Sequence, residues 1–216
     1  MLAQGRIKVD GQIAHDVQQR IGQFMQVSID ERVLQDKTAV YIMLNKPMGV
    51  ASATKDPQHK TVIELLVHPQ REQLHIAGRL DFNSTGLLLL TNDGQWSRQL
   101  SHPNARLEKR YRVTLQNPLN TNYIAAFAKG MKFDFEGITT QPAGLTIIDA
   151  YTAEVILTEG RYHQIKRMFG RFQNPVTALH RVSIGNLVLD QKLNPGESRL
   201  LSPAEVVSIH QPCKAP

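Results

Sequence analysis

Strand-like segments reach this chain in adjacent runs, not as alternating strand–helix units, and that order narrows the fold more than any other feature. Apolar or alternating stretches occur at "LHIAG" from Leu74, "LLLLT" from Leu87, "KRYRVTLQ" from Lys109, "GLTIID" from Gly144, "AEVILTEG" from Ala153 and "VSIGNLVLD" from Val182. An apolar strand in "AVYIMLNKPMGV", stopped by Lys46-Pro47 and Gly49, precedes them. Helical patterns are fewer: a short one at "TVIELL", then "QWSRQLS", "NYIAAFAKG" and "YHQIKRMFGRF". Strands in runs predict an α+β domain on a mixed, mostly antiparallel sheet with flanking helices. That body is expected to occupy residues 38–216. Residues 1–37 read as a separate small unit, opened by a hairpin in "GRIKVDGQIA" with Asp10-Gly11 at its turn and closed by the linker "LQDKT". So short a piece cannot hold a core alone. The tail "QPCKAP" is expected to be disordered.

Charge is distributed unevenly. The formal net charge is +6. Between residues 98 and 112, Arg98, Arg106, Lys109, Arg110 and Arg112 stand against Glu108 alone. Between 161 and 181, Arg161, Lys166, Arg167, Arg171 and Arg181 face no acid. These two segments carry +4 and +5, so the remainder of the chain is net acidic. In residues 1–37, Arg6, Lys8, Arg20, Arg32 and Lys37 cancel Asp10, Asp16, Asp30, Glu31 and Asp36. Basic charge concentrated in two segments is the footprint expected for a polyanion, most simply nucleic acid; a merely solvated basic surface is the alternative.

One acid stands out. In "AGRLDFNSTGLLLLTNDG", Arg79 and Asp81 are two residues apart and would share a face of an extended segment. Arginine there would favour the carboxylate form. Ser84, Thr85 and Gly86 suit a turn, and the leucine run behind it offers a rigid mount. The pattern fits a catalytic carboxylate, and it equally fits an Arg–Asp tie that fastens a loop. In "LEKRYRVTLQ", alternation puts Tyr111, Val113 and Leu115 on one face and Arg110, Arg112 and Thr114 on the other. Tyr111 could stack on a nucleobase while the arginines meet phosphate, or it could simply pack. At about 100° per residue, "GRYHQIKRMFGRF" gathers Ile165, Met168, Phe169 and Phe172 into one stripe. Arg167 and Arg171 then face away, toward a phosphate backbone, and Lys166 sits at the margin, within reach of a cleft. His163 could be a general base, but it reads more simply as a polar residue at the helix start and is given no catalytic role.

Several chemistries find no support. There is no phosphate-binding glycine loop with its lysine, no G-x-S-x-G and no H-E-x-x-H. The eight histidines lack metal-ligand spacing, and no metal or other cofactor is expected. A two-carboxylate hydrolase would need a partner for Asp81, whereas Asp93 in "TNDG" reads as a turn residue. No apolar run nears the roughly 18 residues of a membrane span. The start lacks the apolar core of a secretory signal, and the single cysteine, Cys213, fits a reducing compartment, so a cytoplasmic location is expected.

Three segments taken together resemble a known family. "AGRLDFNSTGLLLLTNDG", "EKRYRVTL" and "EGRYHQIKRMF" are similar, in order and spacing, to the three motifs of the RsuA-type pseudouridine synthases, and "LNKPMG" resembles the strand that opens their catalytic domain. The resemblance runs from about Tyr41 to Leu201. "GRYHQIKRMF" and "NDGQWS" look nearer to the small-subunit rRNA branch than to the large-subunit one. The family implies a mixed-sheet fold with an RNA cleft across it. It implies Asp81 as nucleophile, Tyr111 against the target base, Lys166 as the basic partner of the acid and Ile165 as the apolar contact before it. Arg79 would meet the phosphate of a flipped nucleotide, with Arg110, Arg112, Arg161, Arg167 and Arg171 as further RNA contacts. The expected partner is ribosomal RNA, by resemblance 16S rRNA at uridine 516, with a monomer as the default state. The N-terminal unit resembles only the later part of an S4-like RNA-binding domain. Its opening helices are missing, which leaves either a start farther upstream or RNA docking chiefly through the catalytic body. Pseudouridylation is an isomerisation that consumes no water, metal or redox cofactor, so a lone carboxylate suits it. A non-catalytic RNA clamp, a carboxylate-dependent hydrolase and a synthase acting on 23S rRNA are the alternatives.

Overall fold

The computed structural model describes residues 1–102, 105–133 and 136–209. The expectation for the C-terminal tail lies outside the described residues. The chain divides into two compact units, Met1–Val40 and Tyr41–Pro216.

In the first unit, β1 (Ile7–Val9), β2 (Gln12–Ile13), β3 (Val27–Ile29) and β4 (Arg32–Gln35) form an antiparallel sheet in the order β2-β1-β3-β4. The β1–β2 hairpin turns at Asp10 and Gly11, with φ of 49° and 78°. Two positive φ values in a two-residue turn match the twist of paired strands, which is why Asp-Gly marks it. Buried apolar side chains are few here, with Val9 and Ala14 in the hairpin region. Arg6 is tied to Asp30 through two hydrogen-bonding nitrogens at 2.7–3.2 Å.

The second unit opens with β5 (Tyr41–Lys46), β6 (His75–Ala77) and β7 (Thr85–Thr91), followed by helix α1 (Gly94–Ser101). Next come β8 (Lys109–Leu115), α2 (Asn122–Lys129), the short pair β9 (Lys132–Phe133) and β10 (Ile138–Thr139), then β11 (Gly144–Ile147) and β12 (Thr152–Leu157). Helix α3 (Gln164–Gly170), β13 (Val176–Ile184), β14 (Leu187–Val188), β15 (Ser198–Leu200) and α4 (Pro203–Ser208) complete it. The sheet runs β11-β12-β8-β13-β7-β5-β15, with β14 on β13 and β6 on β7. Every pairing is antiparallel except β13 with β7. The α+β architecture is therefore the mixed, mostly antiparallel one expected from strand order. "TVIELL" is a succession of turns, not a helix; six residues without a side-chain cap give too little to offset helix nucleation.

Sequence pattern explains where the core sits. Leu87, Leu88, Leu89 and Leu90 are all fully buried, so β7 is covered on both faces and has no reason to alternate. Each such side chain contributes about 2 kcal/mol by leaving water. One cluster joins Met43, Leu87 and Leu89 to Trp96, Leu100, Ile184 and Ile209. Strand β8 does alternate, burying Tyr111, Val113 and Leu115. Asp93 caps α1 by accepting from the amides of Gln95 and Trp96 at 2.9 and 3.0 Å, while Tyr41 donates to its other oxygen at 2.8 Å. Among the described residues, no helix is long and apolar enough to cross a membrane.

The parallel contact between β7 and β13 is tight at one point. Gly86 has φ +102°, and a Cβ there would lie 2.3 Å from the carbonyl oxygen of Arg181. Gly86→Ala is expected to destabilise the protein by about 3 kcal/mol, from steric overlap and a backbone that alanine resists, read as a lower urea midpoint at unchanged slope.

Candidate active site

Asp81 lies on the loop between β6 and β7, and nearly every carbonyl of that loop has an assigned donor. Arg181 is 1% exposed, and its guanidinium forks across two of them and one carbonyl of β7: one terminal nitrogen donates to Gly78 O at 2.9 Å, the other to Arg79 O at 3.4 Å, and Nε to Leu87 O at 2.8 Å. Lys46 is wholly buried, and its Nζ donates to Ser84 O at 2.9 Å, Pro47 O at 3.0 Å and Phe82 O at 3.2 Å. Ser52 donates to Leu80 O at 2.7 Å and accepts from Leu80 N at 3.3 Å. The Gly49 amide also reaches Phe82 O, and Ser84 N reaches Asp81 O, both at 3.0 Å. A loop without regular structure can be buried only if its polar backbone is paired, and here two cations and a serine supply the donors. Burial pulls the Lys46 ammonium down to about 8; the Asp81 carboxylate opposes that shift and Arg181 adds to it.

Opposite this loop, the start of α3 is fixed by a second set of bonds. Gln164 is buried; its amide nitrogen donates to Glu159 at 2.7 Å and its carbonyl oxygen accepts from Arg161 N at 3.1 Å. His163 precedes the helix with φ 49° and ψ 30°, a left-handed conformation, and its side chain makes no capping bond. Its Nε2 lies 3.5 Å from Asp81 Oδ1. One turn on, Lys166 Nζ lies 3.4 Å from Asp81 Oδ2. The carboxylate is thus flanked by one basic group on each oxygen. Its side chain is 27% exposed, so it remains reachable from solvent. Tyr111 from β8 and Ile165 from α3 wall the same pocket. Ser84 Oγ, at the pocket's base, has no hydrogen-bond partner among the described residues.

The sequence-derived candidates therefore divide. Asp81, Tyr111, Lys166 and Ile165 converge on this pocket, and Arg79 lines it from the exposed side. Arg79 is not an ion partner of Asp81 among the described residues; Lys166 and His163 are, so the expected Arg–Asp pair gives way to contacts across the cleft. Arg112 and Arg171 are exposed. Arg110 is paired with Glu154 at 2.6 Å and Arg161 with Glu159 at 2.9 Å. Arg167 is paired with Glu136 and lies over the Phe133 ring, 4.0 Å from its centroid, so it does not stand free toward a phosphate backbone as the helical wheel implies. A phosphate would have to compete with a carboxylate at these three. Two further members of the basic segments turn inward. Arg181 serves the Asp81 loop, and Lys109 is held low by burial and donates to Leu107 O at 3.2 Å.

Lys46, Arg181, Ser52, Gln164 and the placement of His163 escaped the sequence reading. A lysine closing the apolar strand "YIMLNK" was the available sign for Lys46; nothing local distinguishes Arg181 from a surface arginine. Asp93, the only nearby acid weighed as a second carboxylate, has both oxygens engaged at the α1 cap. Among the described residues no group of three His, Cys, Asp or Glu side chains could hold a metal ion.

This fold and site are those of an RNA-modifying enzyme class. The RNA pseudouridylate synthase family matches residues 40–170, and the chain belongs to that family. It is 50% identical over 210 residues to the ribosomal small subunit pseudouridine synthase A of Pseudomonas aeruginosa, covering 97% of this chain and 91% of that protein. The Escherichia coli protein of the same name is 42% identical over 205 residues, covering 94% and 89%. A crystal structure described as a pseudouridylate synthase superposes with a TM-score of 0.77 at 39% identity, covering 96% of this chain and 90% of that one. An archaeal box H/ACA Nop10–Cbf5 complex, at 17% identity and a TM-score of 0.51 over 73% of this chain and 51% of that one, shares the fold. The protein is an RNA pseudouridine synthase.

Lys46→Met would fill the same volume but leave carbonyls of the Asp81 loop unpaired. It is expected to cost on the order of 3 kcal/mol of stability by urea unfolding, and to lower turnover further than that loss explains under conditions where the variant is folded.

Proposed function

We propose that this enzyme converts a specific uridine of small-subunit rRNA to pseudouridine, with Asp81 as its covalent nucleophile. The observation that carries this reading is the reachable Asp81 carboxylate held between Lys166 and His163 in front of Tyr111. The names borne by relatives with 40–50% identity support the small-subunit substrate, and uridine 516 of 16S rRNA is the position to examine first.

A uridine inside an RNA helix is out of reach, so it must be flipped into the pocket at a cost of a few kcal/mol. Tyr111 and Ile165 would enclose the base, and the exposed Arg79, Arg112 and Arg171 would meet phosphates, offsetting that cost. Lys166 pairs with the carboxylate across the pocket, and Asp81 attacks as the nucleophile. Asp81 then bonds to the nucleotide at either C1′ of the sugar or C6 of the base. The N1–C1′ bond breaks, uracil rotates, and C5 bonds to C1′ as Asp81 is released. The antiparallel sheet Ile7–Gln35 is assigned the role of a partial S4-like RNA contact.

Asp81→Asn keeps the side chain's shape and removes its charge. Tritium release from 5-tritiated uridine in rRNA is expected to fall by at least about 10³-fold. Undiminished release would remove Asp81 as nucleophile, and salt-sensitive RNA binding by the wild-type protein without product would mark a clamp in place of an enzyme.

A further inference from the structure

The isomerisation proposed above has a proton balance that Asp81 alone does not settle. The N1–C1′ bond is exchanged for a C5–C1′ bond, so C5 must lose its hydrogen and N1 must gain one. A group in the pocket that can both give and take a proton would close the cycle. The ionisable side chains around the carboxylate are His163 and Lys166 on the α3 side, Tyr111 from β8, and Arg79 and Arg161 at the rim; His59, Asp56 and Tyr162 line the wider cleft, and Lys46 lies buried beneath the loop with its Nζ given to three carbonyls. Of these side-chain types, only imidazole ordinarily exchanges protons readily near neutral pH.

His163 is placed for such work and little engaged in anything else. Its Nε2 is 3.5 Å from Asp81 Oδ1, while Lys166 Nζ is 3.4 Å from Oδ2. It does not cap α3, although it occupies the capping position. One face of its ring is covered by Tyr162, with centroids 3.9 Å apart and planes 17° off parallel, which fixes the ring's plane. Its backbone is left-handed at φ 49°, an uncommon state for a residue other than glycine. The Glu159–Gln164–Arg161 bonds hold that turn in place. Strain maintained by surrounding bonds at a cleft, with the side chain turned toward the reacting acid, has a structural purpose other than helix capping.

Resting on the reading of this pocket as a pseudouridine-forming site, we propose that His163 is the proton carrier of the reaction. As imidazolium it delivers its proton to N1 while the N1–C1′ bond breaks. As imidazole it then accepts the hydrogen from C5 once the C5–C1′ bond has formed, and the imidazolium is restored. The hydrogen leaving C5 balances the one gained at N1, and no co-reactant is consumed. Lys166 retains the separate task of pairing with the Asp81 carboxylate.

The test uses His163→Asn in the full-length protein, because asparagine tolerates the left-handed backbone; His163→Gln serves if that variant melts well below the wild type. Single-turnover rates are measured on rRNA carrying uridine or 5-deuterouridine. The variant is expected to be slower by about 10²–10⁴-fold, with a larger deuterium effect than the wild type and partial recovery in imidazole buffer. A rate within a few-fold of wild type overturns the proposal. So does a slow variant whose deuterium effect is unchanged and which imidazole does not restore, since His163 would then only position Asp81. Wild-type pseudouridine formation in the same assay tests the parent reading separately, so failure of the histidine's role and failure of the enzyme's identity give different results.

Discussion

Two buried cations beneath a single loop are the constraint on which the rest of this structure depends. Lys46 and Arg181 come from strands on either side of β7, and between them they engage the carbonyls of Pro47, Gly78, Arg79, Phe82, Ser84 and Leu87. Removing charges from water is expensive, and apolar replacements often stabilise a core more. Here the positive groups give what apolar side chains could not, which is a full set of donors for an irregular backbone in the interior. The result is a rigid seat for Asp81 that leaves its carboxylate free for other contacts. The acid in turn acts on the lysine: Asp81 raises the proton affinity of Lys46 through space, against the larger effect of burial.

The groups on the opposite wall are held by a hydrogen-bonded glutamine, an Arg161–Glu159 ion pair and apolar packing. Gln164 bridges Glu159 and Arg161 and so shapes the turn that carries His163, while apolar packing of Ile165, Met168 and Phe169 sets the helix that carries Lys166. The pocket is thus built from two walls, one fastened by two buried cations and the other by a glutamine, an exposed ion pair and apolar packing. Both meet at one carboxylate, one oxygen each.

Much of this was legible in the sequence, and the failures share a cause. The Asp10-Gly11 hairpin, the alternation that buries Tyr111, and the stripe Ile165, Met168, Phe169 follow from periodicity and turn chemistry, which are local properties. The grouping of Asp81, Tyr111 and Lys166 followed from three motifs read together. Charge counting misjudged Arg181, Lys109 and Arg167 because it assumes that lysine and arginine face solvent, the usual case; their destinations are set by strands far away in the chain. His163 stands where a cap is expected, yet its side chain makes no capping bond. Its left-handed backbone turns the side chain elsewhere, and no local pattern signals that.

The sheet's one parallel seam has a consequence for how the enzyme comes into being. Strands β7 and β13 meet at Thr85–His180, residues 95 apart in sequence. Closing so long a stretch of chain carries an entropic cost before any contact rewards it, and topologies of this kind assemble slowly. On a ribosome that releases the chain from its N-terminus, the segment bearing Asp81 emerges well before Arg181 and α3 exist to seat and oppose it. Assembly of the Asp81 pocket is therefore a late event in synthesis, withheld until the segment that carries Arg181 has been made.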